Sequence, residues 1–446
     1  MTKNRRDGLV LLLLGAAIFL LVGLALKRIS PISSGDFKVV YYPARCLLQH
    51  GDPYLQGDVE RVYQAEGREL PSESALNRQV MTQYFYPPTS FLVTLPFALL
   101  GYGPGHVLWM IVSAGSLILA AFLMFDLVAD FAPLLSGALL GFLLMNSFWL
   151  FMIGNSAAIV VSLCAIAVWC FFRERFVPAG ILCLALSLAL KPHDSGLVLL
   201  FFLLAGGTCR KRALQTLLVL AVLCLAPVLG VAHVAPHWIQ EAHANMLSFT
   251  GPGAITDPAA TGMAGRNMDS LVQLQSAVSI FWENPRVYNS ITYAVCGALL
   301  LVWVFATVRF RQSPARARLA LAAVAPLSML PIYHLQHDAK LLMLTVPACA
   351  MLWAEGGRVG RLAVFFTAAG IVINGDIFSF IRIMLTRHFL VPQPNWPSQI
   401  LTVVLTRPAP LILLSMAVFY LWVYTRLPVV VAASSSLPEK INAHTS

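Results

Sequence analysis

Between Gly8 and Leu26 lie 19 residues without one charged side chain. A helix of that length covers about 28 Å, close to the hydrocarbon thickness of a bilayer. Apolar blocks recur at about 104–125, 134–153, 156–172, 177–190, 196–206, 213–232, 290–308, 317–333, 341–354, 362–381 and 400–424, making 12 candidate transmembrane helices with the first. Lipid offers a backbone no hydrogen bonds, so such blocks must be helical. The chain is 58% hydrophobic and 11% charged, where soluble proteins carry about 25% charged residues. The pattern predicts an all-α polytopic membrane protein and excludes a soluble one. The stretch 89–100 is short and is expected to be a re-entrant or interfacial helix. The first block exceeds a signal-peptide core and lacks a small-x-small cleavage site, so it reads as an uncleaved helix. Six of the eight cysteines fall in or at the ends of apolar blocks and read as small apolar residues, not a disulfide framework.

Positive charge orients this threading. With the N-terminus in the cytoplasm, clusters such as Lys3-Arg5-Arg6, Arg210-Lys211-Arg212 and Arg309 to Arg318 all fall on one face. The cytoplasmic segments hold sixteen Lys and Arg against six Asp and Glu, an excess equal to the whole net charge of +10. That is the asymmetry of a positive-inside membrane protein, and it points to anionic lipid, not nucleic acid. The expected layout is one transmembrane domain over 1–425, with outer-face loops 27–88 and 233–289. Residues 426–446 are expected to form a disordered cytoplasmic tail. A cell (inner) membrane of bacterial type, with both termini cytoplasmic, fits this layout.

On the opposite face the polar residues gather: Asp36, Lys191, His193, Asp194, His334, His337, Asp338 and Lys340 all lie at or near outer ends of candidate spans. Ionisable groups at membrane depth are costly unless paired or wet, so one outward-facing polar pocket is expected to receive them. Asp36, in "SSGDFKVVYYPARCLL", has two readings: a helix cap, with Gly35 freeing the turn, or a carboxylate base at a half-dry interface. Tyr41 and Arg45 follow on the same segment. In "TQYFYPPTSFLVTLPFALL", Tyr86-Pro87-Pro88 dictates an extended lead into a short helix, with Tyr86 as a belt residue or a wall for a sugar ring. Lys191-Pro192 breaks an apolar hairpin at its outer turn; unwound backbone beside a cation suits phosphate, and a snorkelling lysine is the plainer reading. His334, His337 and Asp338 have a spacing that sets them on one helical face and invites a metal. No HExxH, DxD or cysteine pair supports one, so imidazoles hydrogen-bonding to phosphate or hydroxyls are preferred and no cofactor is expected.

Taken in order, "YYPARCLLQHGDPY", "YFYPPTSFLVTLPFALL", "GNSAAIVVSLCAIAVW", "AGILCLALSLALKP", "NMDSL" and "YHLQHDAKLLMLTVPA" resemble glycosyltransferase family 87 across about residues 8 to 425. The resemblance implies a C-type membrane glycosyltransferase fold with short interfacial helices in the first outer loop. It implies an inverting transfer of a hexose, mannose being the expected one, from a polyprenyl-phosphate donor. It matches Asp36 to the base and His334 to a histidine near the donor phosphate. Lys191, His193, Lys340 and Tyr86 are then expected at the donor, and Tyr41, Arg45, Asn155, Asn267 and Asp338 along the pocket. Asn155 stands where the family often has Gln, and His337 where an aromatic residue is more usual. The expected partners are the lipid-linked donor, a lipid or glycan acceptor and membrane lipids. The rival reading is a polytopic transporter or lipid flippase, which should carry inverted repeats and mid-membrane charge; neither is visible in the sequence.

Overall fold

The computed structural model describes residues 2–30, 34–66, 82–254, 256–259, 270–389 and 395–426. The expected pocket residue Asn267 and the expected tail beyond Arg426 lie outside these residues. The helices in chain order are α1 (Lys3–Ile29), α2 (Gly35–Leu48), α3 (Gln56–Ala65), α4 (Phe91–Ala98), α5 (Tyr102–Val128), α6 (Pro133–Met145) and α7 (Phe148–Ile153). There follow α8 (Ala157–Arg173), α9 (Val177–Leu190), α10 (Pro192–Leu204), α11 (Gly207–Val234), α12 (Trp238–Thr250), α13 (Gln275–Val278), α14 (Pro285–Arg309) and α15 (Pro314–Ser328). The chain ends with α16 (Val346–Glu355), α17 (Gly357–Ile373), α18 (Asp376–Phe389), α19 (Trp396–Thr406) and α20 (Pro408–Arg426), and a 3₁₀ turn at Asp338–Thr345 leads into α16. Proline stands in the first turn of α6, α9, α10, α14, α15 and α16, where its missing N–H has no helical partner to lose.

Six helices among the described residues are long and apolar enough to cross a membrane, and a seventh joins them if α17 and the start of α18, bent by 64°, count as one span. The protein is therefore a multi-pass, all-helical membrane protein. The expected spans each meet helix, but several are interrupted. The block 134–153 breaks at Asn146-Ser147 between α6 and α7. The block 400–424 splits at Arg407-Pro408, and 317–333 stops being helical after Ser328. Pro87 is extended and α4 is only 8 residues, too short to cross, as the double proline dictates.

Burial sorts the helices. Along α8, Ala157–Ser162, Cys164, Ala165, Ala167 and Val168 are all buried, as is nearly all of 319–328 and 338–352. The outer helices face the other way: Leu214, Leu218, Val222, Leu225 and Leu229 form one exposed stripe on α11. Their steps of three and four place them on one side of the helix, and an apolar stripe of that size suits lipid.

The helix ends separate two chemistries. At one end Arg5 and Arg173 flank Asp126, Arg212 reaches Glu174 and the Phe171 carbonyl, and Arg318 lies over Phe131. The other end of α8 begins at Asn155 and Ser156. The basic cluster and the polar site are thus a helix length apart.

Small residues set the closest contact in the bundle. A Cβ on Gly137 of α6 would lie 2.0 Å from the Gly8 carbonyl oxygen of α1, and one on Gly15 would lie 2.1 Å from that of Gly141. Backbones meet this closely only where no side chain intervenes, the small-xxx-small logic of helices in lipid. Gly137→Leu should therefore cost more than the roughly 1–3 kcal/mol of ordinary overpacking, because the obstacle is backbone. Gly115→Leu, where a Cβ meets nothing within 4 Å, should leave the melting midpoint in detergent unchanged. Equal midpoints for the two variants would refute this packing.

Candidate active site

Asp36 sits in the first turn of α2, not at its cap. Ser34 is the N-cap, in left-handed backbone (φ 65°), and its Oγ lies 2.8 Å from His106 Nε2. The cap reading of Asp36 is thereby corrected: its carboxylate reaches across to the break between α7 and α8. There Gly154 takes φ +71°, which a side chain would strain, and its carbonyl accepts the Trp109 indole N–H at 2.9 Å. The turn delivers Asn155, whose Oδ1 accepts the Ala157 amide at 2.8 Å in an Asx turn that leads into α8. That bond fixes the amide's orientation and leaves Nδ2 to donate to Asp36 Oδ2 at 2.5 Å. Asp36 keeps some surface open, yet it is set deep among protein atoms. Burial raises its carboxyl pKa above the ordinary value; the Asn155 bond and the Lys191 charge pull it down only in part.

Lys191 lies where α9 ends and α10 begins, in non-helical backbone (φ −143°, ψ 88°) forced by Pro192. Its ammonium is buried and donates to Asp338 Oδ1 at 3.0 Å. The other oxygen of Asp338 accepts the Leu335 amide, also at 3.0 Å. Tyr86, at the extended lead into α4, places its hydroxyl 3.3 Å from Ser156 Oγ, and its phenol feels the charges of Lys191, Asp36 and Asp338.

His334 is not on a helix. Residues 334–336 pair with 270–272: the Val272 amide donates to the His334 carbonyl at 3.1 Å and the Gln336 amide to the Ser270 carbonyl at 2.9 Å. The expected shared helical face of His334, His337 and Asp338 is thus corrected, because this outer-loop pairing holds the segment extended until the 3₁₀ turn starts at Asp338. The His334 ring is fully buried, with Nδ1 3.1 Å from the Ile332 carbonyl and Nε2 3.0 Å from Asp194 Oδ1. Burial works against a charged imidazole and the Asp194 carboxylate works for it; the carboxylate prevails and the pKa lies above its ordinary value. His193 stands beside them, its ring edge-on to His334 at 4.8 Å between centroids.

Asp36, Tyr86, Asn155, Lys191, His193, His334 and Asp338 therefore gather at one end of the bundle. The remaining expected residues do not join these contacts. Lys340 donates to the Asn146 and Asn374 carbonyls at 2.9 and 3.2 Å, with Asp376 Oδ1 at 3.6 Å, so protein acceptors surround its ammonium. Tyr41 donates to the Leu100 carbonyl at 3.0 Å and Arg45 to that of Ala98 at 3.1 Å, tying α2 to the end of α4. His337 is buried with Nδ1 lacking a hydrogen-bond partner. Asp194, which the sequence places in the outer pocket without a role, belongs to the site, and one member carries no sequence signal: Tyr333, half-buried and within the fields of Asp338, Lys191 and Asp36. No spacing rule marks that tyrosine.

Lys340→Met should destabilise the fold by about 3–5 kcal/mol, the cost of leaving a buried charge, here Asp376, without its partner. Lys340→Met/Asp376→Asn should recover part of that loss. Thermal unfolding in detergent measures both, and a Lys340→Met protein that melts like the parent would show the network to be dispensable.

A model of the family described as glycosyltransferase family 87 matches residues 84–333. The matched span includes Tyr86, Asn155, Lys191, His193, Asp194 and Tyr333. No curated protein and no solved structure matches the chain.

Proposed function

The chain belongs to glycosyltransferase family 87, and from that premise we propose that it moves a hexose, mannose in the simplest case, from a polyprenyl-phosphate donor to a lipid or glycan acceptor. It is a membrane glycosyltransferase, and so has a sugar donor and an acceptor. The arginine-rich helix ends lie in the cytoplasm with both termini, by the positive-inside rule, and transfer occurs at the outer face of a bacterial-type cell membrane. On this reading each of the twelve apolar blocks of the sequence crosses the membrane, in a C-type arrangement.

One observation carries this reading: Asp36, a carboxylate with no cation in contact among the described residues, shares its helix end with a buried cation, Lys191. Asp36 takes the proton of the acceptor hydroxyl. The acceptor oxygen attacks the anomeric carbon from the face opposite the phosphate, and the bond from that carbon to the phosphate oxygen breaks. The sugar's configuration inverts and polyprenyl phosphate leaves with the bonding pair. Negative charge grows on the leaving oxygen, where fixed donors lower the barrier most. Lys191 has further N–H bonds besides the one to Asp338, and His334 stands close by, although protein acceptors face both its nitrogens. No step of this displacement calls on a metal. Tyr86 walls the sugar, and His193, on the half-buried side, faces the donor.

Asp36→Asn should leave donor binding intact and lower turnover by about 10²–10⁴, the usual worth of a positioned base. Purified protein with radiolabelled polyprenyl-phosphate hexoses and membrane lipid extract tests this and identifies the product; near-normal turnover by the variant removes the base assignment. Asp36 works only when ionised, and its pKa is raised, so activity should fall with decreasing pH above the ordinary carboxylate range. Asn155→Ala removes a contact that favours the ionised form, so the acid limb should move to still higher pH. A limb that stays put would detach Asn155 from Asp36.

A further inference from the structure

Asp194 poses a problem that the transfer reaction leaves unsolved. Its carboxylate is 1% exposed, in the first turn of α10, and neither oxygen has a hydrogen-bond partner of proper geometry. A buried carboxylate needs donors or a cation. Lys191 does not serve, because its ammonium goes to Asp338. What Asp194 has instead are two imidazole nitrogens: His334 Nε2 at 3.0 Å from Oδ1 and His193 Nε2 at 3.6 Å from the same oxygen. The three atoms lie within 4.8 Å of one another.

The tautomer of His334 follows from its other side. Nδ1 is 3.1 Å from the Ile332 carbonyl, an acceptor only, so Nδ1 carries the hydrogen. Neutral His334 then presents the lone pair of Nε2 to a carboxylate oxygen, and two lone pairs at 3.0 Å repel. Something positive belongs between them, either a second proton on the ring or a metal ion. His193 separates these alternatives. A proton on His334 needs no third ligand, whereas a second imidazole nitrogen converging on the same oxygen completes a ligand set.

We propose that His193 Nε2, Asp194 Oδ1 and His334 Nε2 bind a divalent first-row transition metal ion of the Zn²⁺ class. Two nitrogens and one carboxylate oxygen are a donor set such ions favour. With bonds of about 2.0–2.2 Å, separations of 3.0 and 3.6 Å fit two ligands of a single ion; the half-buried His193 ring closes the third side by rotating. The Nδ1–H to carbonyl contact is the outer-shell bond that orients a metal-binding histidine. Asp194 and His334 are buried and His193 is not, so the remaining coordination position opens on the His193 side. The ion would tie the first turn of α10 to the non-helical 332–336 segment.

The test uses the purified full chain in detergent, tag removed and stripped with chelator, and Co²⁺ as the probe. Expected is one equivalent of Co²⁺ per chain, with the visible d–d absorption of a nitrogen–oxygen site, displaced by Zn²⁺. His193→Ala, at the open edge of the site, should weaken Co²⁺ binding at least about tenfold, since even outer-shell changes cost 10–100-fold. Asp194→Asn should do the same in protein that remains monodisperse. Unaltered Co²⁺ binding by His193→Ala would place the metal on other histidines and overturn the proposal. So would a folded parent protein that binds no Co²⁺, in which case a proton alone bridges Asp194 and His334. The readout is bound metal, so it stands apart from any failure of glycosyl transfer.

Discussion

The buried contact between Lys191 and Asp338 is the tie on which the polar end of the bundle depends. Its two residues come from segments 147 positions apart, each at a point where helix has stopped or not yet begun. Asp338 uses one oxygen for Lys191 and the other for the Leu335 amide. A single carboxylate therefore holds the cation and also shapes the turn that presents His334. Breaking a buried pair leaves an uncompensated charge at a cost of about 3–5 kcal/mol, so neither residue can drift without the other. The pairing of 334–336 with 270–272 then locks the turn from the outer side.

The same economy of position governs the apolar parts. Where helices carry glycine, as α1 and α6 do, backbones touch and the pair is rigid. Where they carry leucine in an outward stripe, as α11 does, the surface is left for lipid. The helices between, α8 above all, are buried over most of their surface, apart from a half-buried stripe at Leu163, Ile166, Trp169 and Phe172. Polar residues at the helix ends are held by a stiff frame, and that stiffness lets a 2.5 Å contact between Asp36 and Asn155 join α2 to α8.

Much of this was legible in the sequence because lipid imposes strong rules. Apolar blocks marked the helices, prolines marked their first turns, and Lys191-Pro192 marked the broken hairpin. The interruptions were less legible. Ser328 ends a helix inside an apolar block because the outer loop captures the chain beyond it, and that capture depends on residues nearly 60 positions away. His334, His337 and Asp338 looked like one helical face for the same reason: spacing reports local geometry, and here a distant strand-like contact overrides it. Lys191 and Lys340 illustrate the limit for the site. Both are lone lysines near outer helix ends, yet Lys340 is absorbed by the carbonyls of Asn146 and Asn374 and by Asp376. Nothing in the linear sequence says which acceptors a lysine will meet.

Three carboxylates share this end of the molecule, and their partners differ in kind. Asp338 has an ammonium at 3.0 Å and Asp194 an imidazole at 3.0 Å. Among the described residues, Asp36 has the neutral amide of Asn155 at 2.5 Å and no cation in contact. A carboxylate neutralised by a cation resists protonation and makes a poor proton acceptor. A buried one stabilised by a single amide holds its proton more readily, and its pKa moves toward the range where a base can both take a proton and release it. The difference among three acids of the same chemistry thus comes from which groups the fold aims at each. On the reading proposed above, it is this difference that suits Asp36 to proton transfer.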